Sequence, residues 1–230
     1  MNSPPPLDSG LNLLVRVAYQ LLCILFPSRK DSMQFPEPMT EGPLSVETAL
    51  ANRRSVREYA EEPLTPDSLG QLLWAVYGVS EEGPWNRRTV PSHAAIYPME
   101  IYVVAGDVEG LEPGVYHYQP LSHSLEEVQE GDARAEVAEI CLEQDWMESA
   151  PAMLVITASF ERIQQKFGDR GVAYAFFEAG HMSQNCYLQC EALGLGTTCV
   201  GGFKEEELMD MLDLPPDHHP MMVMPVGWKA

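Results

Sequence analysis

The stretch from Val172 to Leu193 constrains the fold most. It holds apolar and small residues, contains no proline and stops at Gly194, so it has the length and composition of a long, mostly buried helix. A helix of that kind needs other layers to cover it. The rest of the chain supplies short segments suited to that task. Glu100–Ala105 (EIYVVA) and Val115–Tyr118 are rich in β-branched and aromatic residues and read as strands. Ala152–Ala158 (AMLVITA) is short and apolar enough for a buried strand, and a last strand falls near Met221–Val226. Ser45–Asn52 reads as a short helix leading into Arg53. Thr65-Pro66-Asp67 is an N-cap followed by proline at the first helical position, and Leu69, Leu72, Leu73 and Val76 mark the buried face of a helix that ends at Gly78. Residues 79–90 read as a polar loop and Asp132–Gln144 as helical. A short acidic helix at 205–212 begins with Glu205–Glu207, where carboxylates favour the positive end of the helix dipole. Helices and strands interleave without strict βαβ alternation and without an internal repeat. The class predicted is α+β, with a central mixed or antiparallel sheet flanked by helices.

Two regions follow from composition. Residues 34–230 form the main domain, and residues 1–33 are a leader helix and linker. Leu11–Phe26 is apolar for most of its length, but it lacks the basic start and small-residue cleavage site of a secretory signal. It is shorter than the roughly 20 residues a membrane span needs, and it carries Arg16. Asn12, Arg16, Tyr19, Gln20 and Cys23 fall on one stripe, the pattern of an amphipathic helix. Packing within the protein's own dimer is the preferred reading, ahead of membrane contact by residues 11–26.

Lys and Arg total 14 against 34 Asp and Glu, a formal charge of -20. Such a field disfavours nucleic acid and anionic membranes as partners of the main domain. Any phosphate site must therefore be built from a local cationic cluster. The five cysteines form no CxxC pair and match no metal-ligand spacing, so reduced thiols in a cytoplasmic setting and no metal are expected.

Three segments carry chemistry. In Arg53-Arg54-Ser55-Val56-Arg57, an extended backbone points residues 53, 55 and 57 the same way, so that two guanidinium forks and a hydroxyl converge as a phosphate monoester requires. Alone, the segment reads more readily as a solvated basic turn. Pro91-Ser92-His93-Ala94-Ala95-Ile96-Tyr97-Pro98 brackets small residues with prolines just before a strand, which allows a flat ligand close to the backbone; a tight turn into the strand accounts for it equally well. Gly194-Leu195-Gly196-Thr197-Thr198-Cys199-Val200-Gly201-Gly202-Phe203 brings backbone amides within reach of a ligand. It follows a helix and lacks dinucleotide-fingerprint spacing.

In this order the three segments resemble the nitroreductase family of FMN enzymes, most closely its SagB-type dehydrogenase branch. The likeness runs from about Pro36 to Gly227. It includes LLWAVYGV at 72–79, PSHAAIYPMEIYVV at 91–104, GVYHY at 114–118 and EAGHMSQN at 178–185. The resemblance implies a homodimer with two FMN sites at the subunit interface. It puts Arg53, Ser55 and Arg57, with Arg54 close by, on the phosphate and ribityl chain. Pro91, Ser92 and His93 of the other subunit lie by the isoalloxazine ring, and Val200, Gly201 and Gly202 contact that ring through backbone groups. The activity implied is ping-pong transfer of hydride from NADH or NADPH to a flat small-molecule acceptor such as a nitroaromatic or quinone. The alternatives are a SagB-type peptide azoline dehydrogenase and a flavin-binding protein that is not an enzyme.

The sequence departs from the family pattern in four places. Ala94 stands where many relatives have glycine. His93 replaces a small residue, either as an acid near the substrate or as filling, with filling preferred. Lys229 is the only tail cation left for the phosphate. Lys166 is a candidate base if burial lowers its pKa, but Phe167 replaces the tyrosine that pairs with that lysine in azoline oxidases. Glu178, His181 and Asn185 form one helical stripe, read as buried hydrogen bonding, and His218-His219 reads as a loop pair.

Overall fold

The computed structural model of the protein describes residues 31–230, so the helix expected at 11–26 lies outside the described residues. Asp31–Gln34 (β1), in the segment read as leader and linker, is an edge strand. Helix α1 (Val46–Asn52) starts at Ser45, whose hydroxyl accepts the Thr48 N–H at 3.2 Å. Helix α2 (Pro66–Tyr77) starts as its sequence predicts. The Thr65 hydroxyl accepts the Ser68 N–H at 3.2 Å, Pro66 opens the first turn and Gly78 closes the last. Residues 79–90, read as a loop, contain a small hairpin of β2 (Val79–Glu81) and β3 (Arg87–Arg88).

Strands β4 (Met99–Ala105), β5 (Gly114–Gln119) and β6 (Ser124–Glu130) form a meander. Helix α3 (Arg134–Ile140) is shorter than its predicted span and gives way to a 3-10 turn at Asp145–Ser149. Then come β7 (Ala152–Ser159), α4 (Phe160–Phe167), α5 (Arg170–Leu193), β8 (Leu195–Thr197), α6 (Glu205–Met211) and β9 (His218–Trp228).

Seven strands lie in the order β1-β6-β5-β4-β7-β9-β8, with every strand pairing antiparallel. Parallel contacts are confined to isolated bridges, one of them between Ser55 and Thr197. Alternation along β4 and β7 decides where the core sits. Ile101, Val103, Leu154 and Ile156 face one apolar cluster together with α2 and α5, while Tyr102, Val104, Met153 and Val155 face a second with α3 and α6. All eight residues of β7 are buried, which is why its sequence is apolar but for Thr157 and Ser159.

Helix α5 spans about 36 Å at the standard rise. It buries a stripe of Ala175, Glu178, Ala179, Met182, Cys186 and Cys190, not most of its surface, and leaves Phe176 and Phe177 exposed. Gly194 ends it in the left-handed region at φ 78°. Gly194→Ala is therefore expected to cost about 1 kcal/mol, read as a lower urea midpoint at constant slope. An unchanged midpoint would show that this cap contributes nothing. No helix among the described residues is long and apolar enough to cross a membrane.

Candidate active site

The chain leaves α1 at Arg53 in an extended conformation. The Val56 N–H donates to the Thr197 carbonyl at 3.0 Å, and Ser55 bridges Thr197, so the arginine-rich segment runs alongside β8. Val56 packs against Gly196, where a Cβ would stand 2.6 Å from Val56 Cγ1; only glycine admits this approach. Arg53 and Ser55 both reach Tyr187 of α5. The Arg53 guanidinium lies 5.1 Å from its ring centroid, and the Ser55 and Tyr187 hydroxyls are 3.3 Å apart. The Cys199 N–H donates to the same Tyr187 hydroxyl at 2.8 Å. One tyrosine thus ties the first sequence segment to the third.

The predicted three-way convergence holds for Arg53 and Ser55. Arg57 instead leans on Trp146, 5.9 Å from its ring, because the 3-10 turn at 145–149 stands beside it. Arg54 turns back, with Nη1 donating to the Ala51 and Arg53 carbonyls. Among the described residues, none of these three arginines is ion-paired to a carboxylate. In a chain of net charge -20, three uncompensated guanidinium groups within five residues are suited to an anion.

In the third segment, the N–H and C=O of Val200 are both taken by Val223, at 2.8 and 2.9 Å. The amides of Gly201 and Gly202 make no backbone hydrogen bond among the described residues, and the space beside Gly201 is open. The unengaged backbone donors of this turn are therefore the two glycines and not Val200. Lys229, the predicted tail cation, is engaged elsewhere: its Nζ lies 2.8 Å from the largely buried carboxylate of Glu191.

The second segment sits near the other end of α5. Ala94, Ala95 and Tyr97 adopt φ of 56°, 52° and 52°, a left-handed path costly for residues with a Cβ. This geometry would suit glycine at position 94 better than the alanine present. Two contacts hold the path: the Ser92 hydroxyl accepts the Tyr97 N–H at 3.0 Å, and Arg162 Nη1 donates to the Tyr97 carbonyl at 2.7 Å. Arg162 also pairs with Glu100 at 2.7 Å, and His117 reaches the other oxygen of Glu100 at 3.1 Å. Burial raises the Glu100 pKa, but the His117 hydrogen bond and the Arg162 charge outweigh it and hold the carboxyl below its ordinary value.

His93 lies flat on Tyr174, ring centroids 3.9 Å apart, with Phe167 and Phe177 at 6.5 and 6.3 Å. Its contacts within the chain are those of a packing residue. Lys166 is exposed, so the burial its role as a base required is absent from the chain.

Of the helical stripe, Glu178 is fully buried and accepts the Tyr77 hydroxyl at 2.9 Å, while its Oε2 has no hydrogen-bond partner. Burial pushes its pKa up to about 7 against the opposing influence of the nearby Ser92 and Tyr77 hydroxyls and the Arg88 charge. Asn185 donates to the Ala75 carbonyl at 2.9 Å, and His181 is exposed. His218 and His219 open β9 and are not in a loop. One is 3.1 Å from the Tyr102 hydroxyl and the other pairs with Glu205, and no metal-binding group of side chains occurs among the described residues.

Two half-sites therefore mark α5, one at Tyr174 and Ser92 and one at Tyr187 and Arg53, separated by about 20 Å of helix. Sequence comparison supplies the deciding observation: the model of the Nitroreductase family matches residues 50–228. The chain belongs to the nitroreductase family.

This is a family of oxidoreductases. A protein of Methanocaldococcus jannaschii whose name places it among the nitroreductases is 42% identical to the chain, covering 86% of this chain and 98% of that one. An FMN reductase [NAD(P)H] of Bacillus subtilis is 23% identical over 79% of this chain and 65% of its own length. A solved nitroreductase-type structure from Ralstonia eutropha superposes with a TM-score of 0.77 at 30% identity, covering 88% of this chain and 91% of that one. The nitroreductase fold, an antiparallel-rich sheet flanked by helices, is thus that of this chain. Tyr187 escaped sequence reasoning because an aromatic residue in a long helix reads as core; only the pairing of Ser55 with Thr197 makes it a junction.

Proposed function

We propose that the protein is an FMN-dependent oxidoreductase that takes hydride from NADH or NADPH and delivers it to a flat acceptor such as a quinone or nitroaromatic. The observation that carries this reading is the meeting of Arg53, Ser55, Tyr187 and the Cys199–Gly202 turn at one end of α5, with no carboxylate among the described residues paired to the arginines. This donor set fits a phosphate with a polyhydroxyl chain. When bound, FMN supplies the hydride-accepting and hydride-donating ring.

The residues of the chain would then bind and orient. Arg53 and Ser55 hold the phosphate and ribityl end, and Arg57 reaches the same region from beside Trp146. The amides of Gly201 and Gly202 face the ring edge, where donors favour a more anionic, reduced ring. Pro91 and Ser92 lie near the other end of α5 from Arg53, and in this reading a second copy supplies them to the site. The proposed site is therefore one shared between two copies of the chain. The B. subtilis relative, named for FMN reduction with NAD(P)H, supports the same donor and cofactor.

Peptide azoline oxidation takes second place, because Phe167 carries no hydroxyl and packs against Tyr174 and His93. Lys166→Ala is expected to leave NADPH-dependent quinone reduction unchanged; lost turnover with FMN still bound would restore Lys166 as a base. The reading itself is tested by the visible spectrum of the purified full chain after FMN reconstitution, followed by anaerobic bleaching with NADH or NADPH. Multiple turnovers with an acceptor support it and exclude a purely flavin-storing role. A protein that stays colourless overturns it.

A further inference from the structure

Five cations of the described chain are matched to carboxylates: Arg87, Arg134, Arg162, Lys204 and Lys229. Arg88, next to Arg87 on β3, is not among them. Its guanidinium lies 5.2 Å from the ring centroid of Tyr77 and 5.4 Å from that of Tyr97. Among the described residues its Nε is buried without a partner, and its one side-chain hydrogen bond is a long contact of 3.5 Å from Nη1 to the Tyr77 carbonyl. A guanidinium offers five N–H donors, and here most are unused. The two tyrosine faces fix its position and offset part of the cost of withdrawing the charge from water. Glu178, the buried carboxylate whose titration feels the Arg88 charge, is already engaged by Tyr77.

Arg88 lines a pocket of about 520 Å³ between the β2–β3 hairpin and the second segment, together with Trp85, Val90, Pro91, Ser92 and Tyr97. That size suits a small organic ligand, and a mostly apolar wall with few charged groups is the usual way to hold and orient one; the other charged group of the lining, Arg87, is exposed and paired with Glu81. Trp85 is 64% exposed, a large flat face presented to solvent at the rim. Elsewhere the net charge of -20 disfavours anions, so a guanidinium that makes no ion pair among the described residues, inside an aromatic-walled pocket, is a selective feature.

We propose that this pocket recognises a flat ligand bearing an anionic group, a carboxylate or phosphate, with Arg88 as the specificity-determining residue and Trp85 as a stacking face. The inference rests on the reading of Pro91 and Ser92 as the wall beside the FMN ring, since a ligand held here then reaches that ring. The anion belongs either to the acceptor or to the phosphates of the nicotinamide donor.

The test uses FMN-loaded full-length protein as wild type, Arg88→Gln and Arg88→Lys, with 4-nitrobenzoate and its neutral analogue 4-nitrobenzamide as acceptors and with NADH and NADPH as donors. If the acceptor carries the anion, wild type prefers the carboxylate by roughly tenfold in kcat/KM, mostly through KM. Arg88→Gln then brings that ratio to about one, and Arg88→Lys retains part of it. If the donor carries it, Arg88→Gln raises the KM for NADH or NADPH by a similar factor and leaves the acceptor ratio alone. Wild-type values of both in Arg88→Gln overturn the proposal. Should Arg88→Gln fail to fold by circular dichroism, Arg88→Lys and the wild type still decide. A preference for the carboxylate that shrinks with added salt, or a donor KM that rises with salt and in Arg88→Lys, supports the proposal; neither effect overturns it. A protein that binds no FMN sinks the oxidoreductase reading instead. The pocket is then probed by calorimetric titration with the two nitro compounds, where equal binding overturns the inference and a carboxylate preference lost in Arg88→Gln supports it.

Discussion

Replacing Arg53 and Arg57 together with alanine is expected to weaken FMN binding by roughly 10² to 10⁴-fold while leaving the apoprotein folded. A hydrogen bond to a charged group contributes about 1.5–3 kcal/mol, and two such losses add to about 3–6 kcal/mol when the sites are separate. They are separate here, one side chain resting on Tyr187 and the other on Trp146. Neither side chain is ion-paired within the described chain, so removing them strands no carboxylate. The backbone role of Arg53, whose N–H closes α1 on the Ala49 carbonyl, survives in alanine. Arg54→Ala should weaken FMN binding far less, because its guanidinium already serves the Ala51 and Arg53 carbonyls. FMN fluorescence titration reads the affinities and thermal melting of apoprotein reads the fold. Wild-type affinity in the double variant would remove the phosphate site from this end of α5.

Glu178→Gln is expected to stabilise the protein above pH 7 and to have little effect near pH 5. Burial lifts the Glu178 pKa from 4.5 to about 7. Between those values the folded state keeps a proton that the unfolded state has released, so stability falls as pH rises. The contribution of the neutral carboxyl is complete below about pH 4.5 and is lost as pH passes about 7, a difference on the order of 3 kcal/mol. Glutamine keeps an oxygen for the Tyr77 hydroxyl but cannot ionise. Urea midpoints measured from pH 5 to pH 8 should therefore converge at the acidic end and separate at the alkaline end, with the variant higher. Parallel curves would show that Glu178 does not titrate in this range.

Local signals were legible: the Thr65-Pro66 helix start, the apolar run of β7 and the Gly194 stop each depend on neighbours in sequence. β6 was not, because Ser124–Glu130 is acidic and becomes a strand only by pairing with β5 and β1. The β2–β3 hairpin was hidden in a polar segment for the same reason. In the site, the alternation of Arg53 and Ser55 was readable from the extended backbone alone. The diversion of Arg57 to Trp146 and of Lys229 to Glu191 was not, since both partners are distant in sequence. Tyr187, Tyr77 and Arg88 were missed because their importance lies in what the fold places against them.

The left-handed path through Ala94, Ala95 and Tyr97 has a consequence for how this protein tolerates change. Its shape is clamped from outside the segment, by the fork of Arg162 on α4 gripping the Tyr97 carbonyl and Glu100 at once. The far oxygen of Glu100 answers in turn to His117, whose ring stacks on Tyr102 across the sheet. Drift in any of these remote side chains would reshape the mouth of the cleft while every ligand-facing residue stayed the same. Variation in chemistry among close relatives is therefore as much to be sought in the scaffolding on β4, β5 and α4 as in the pocket walls.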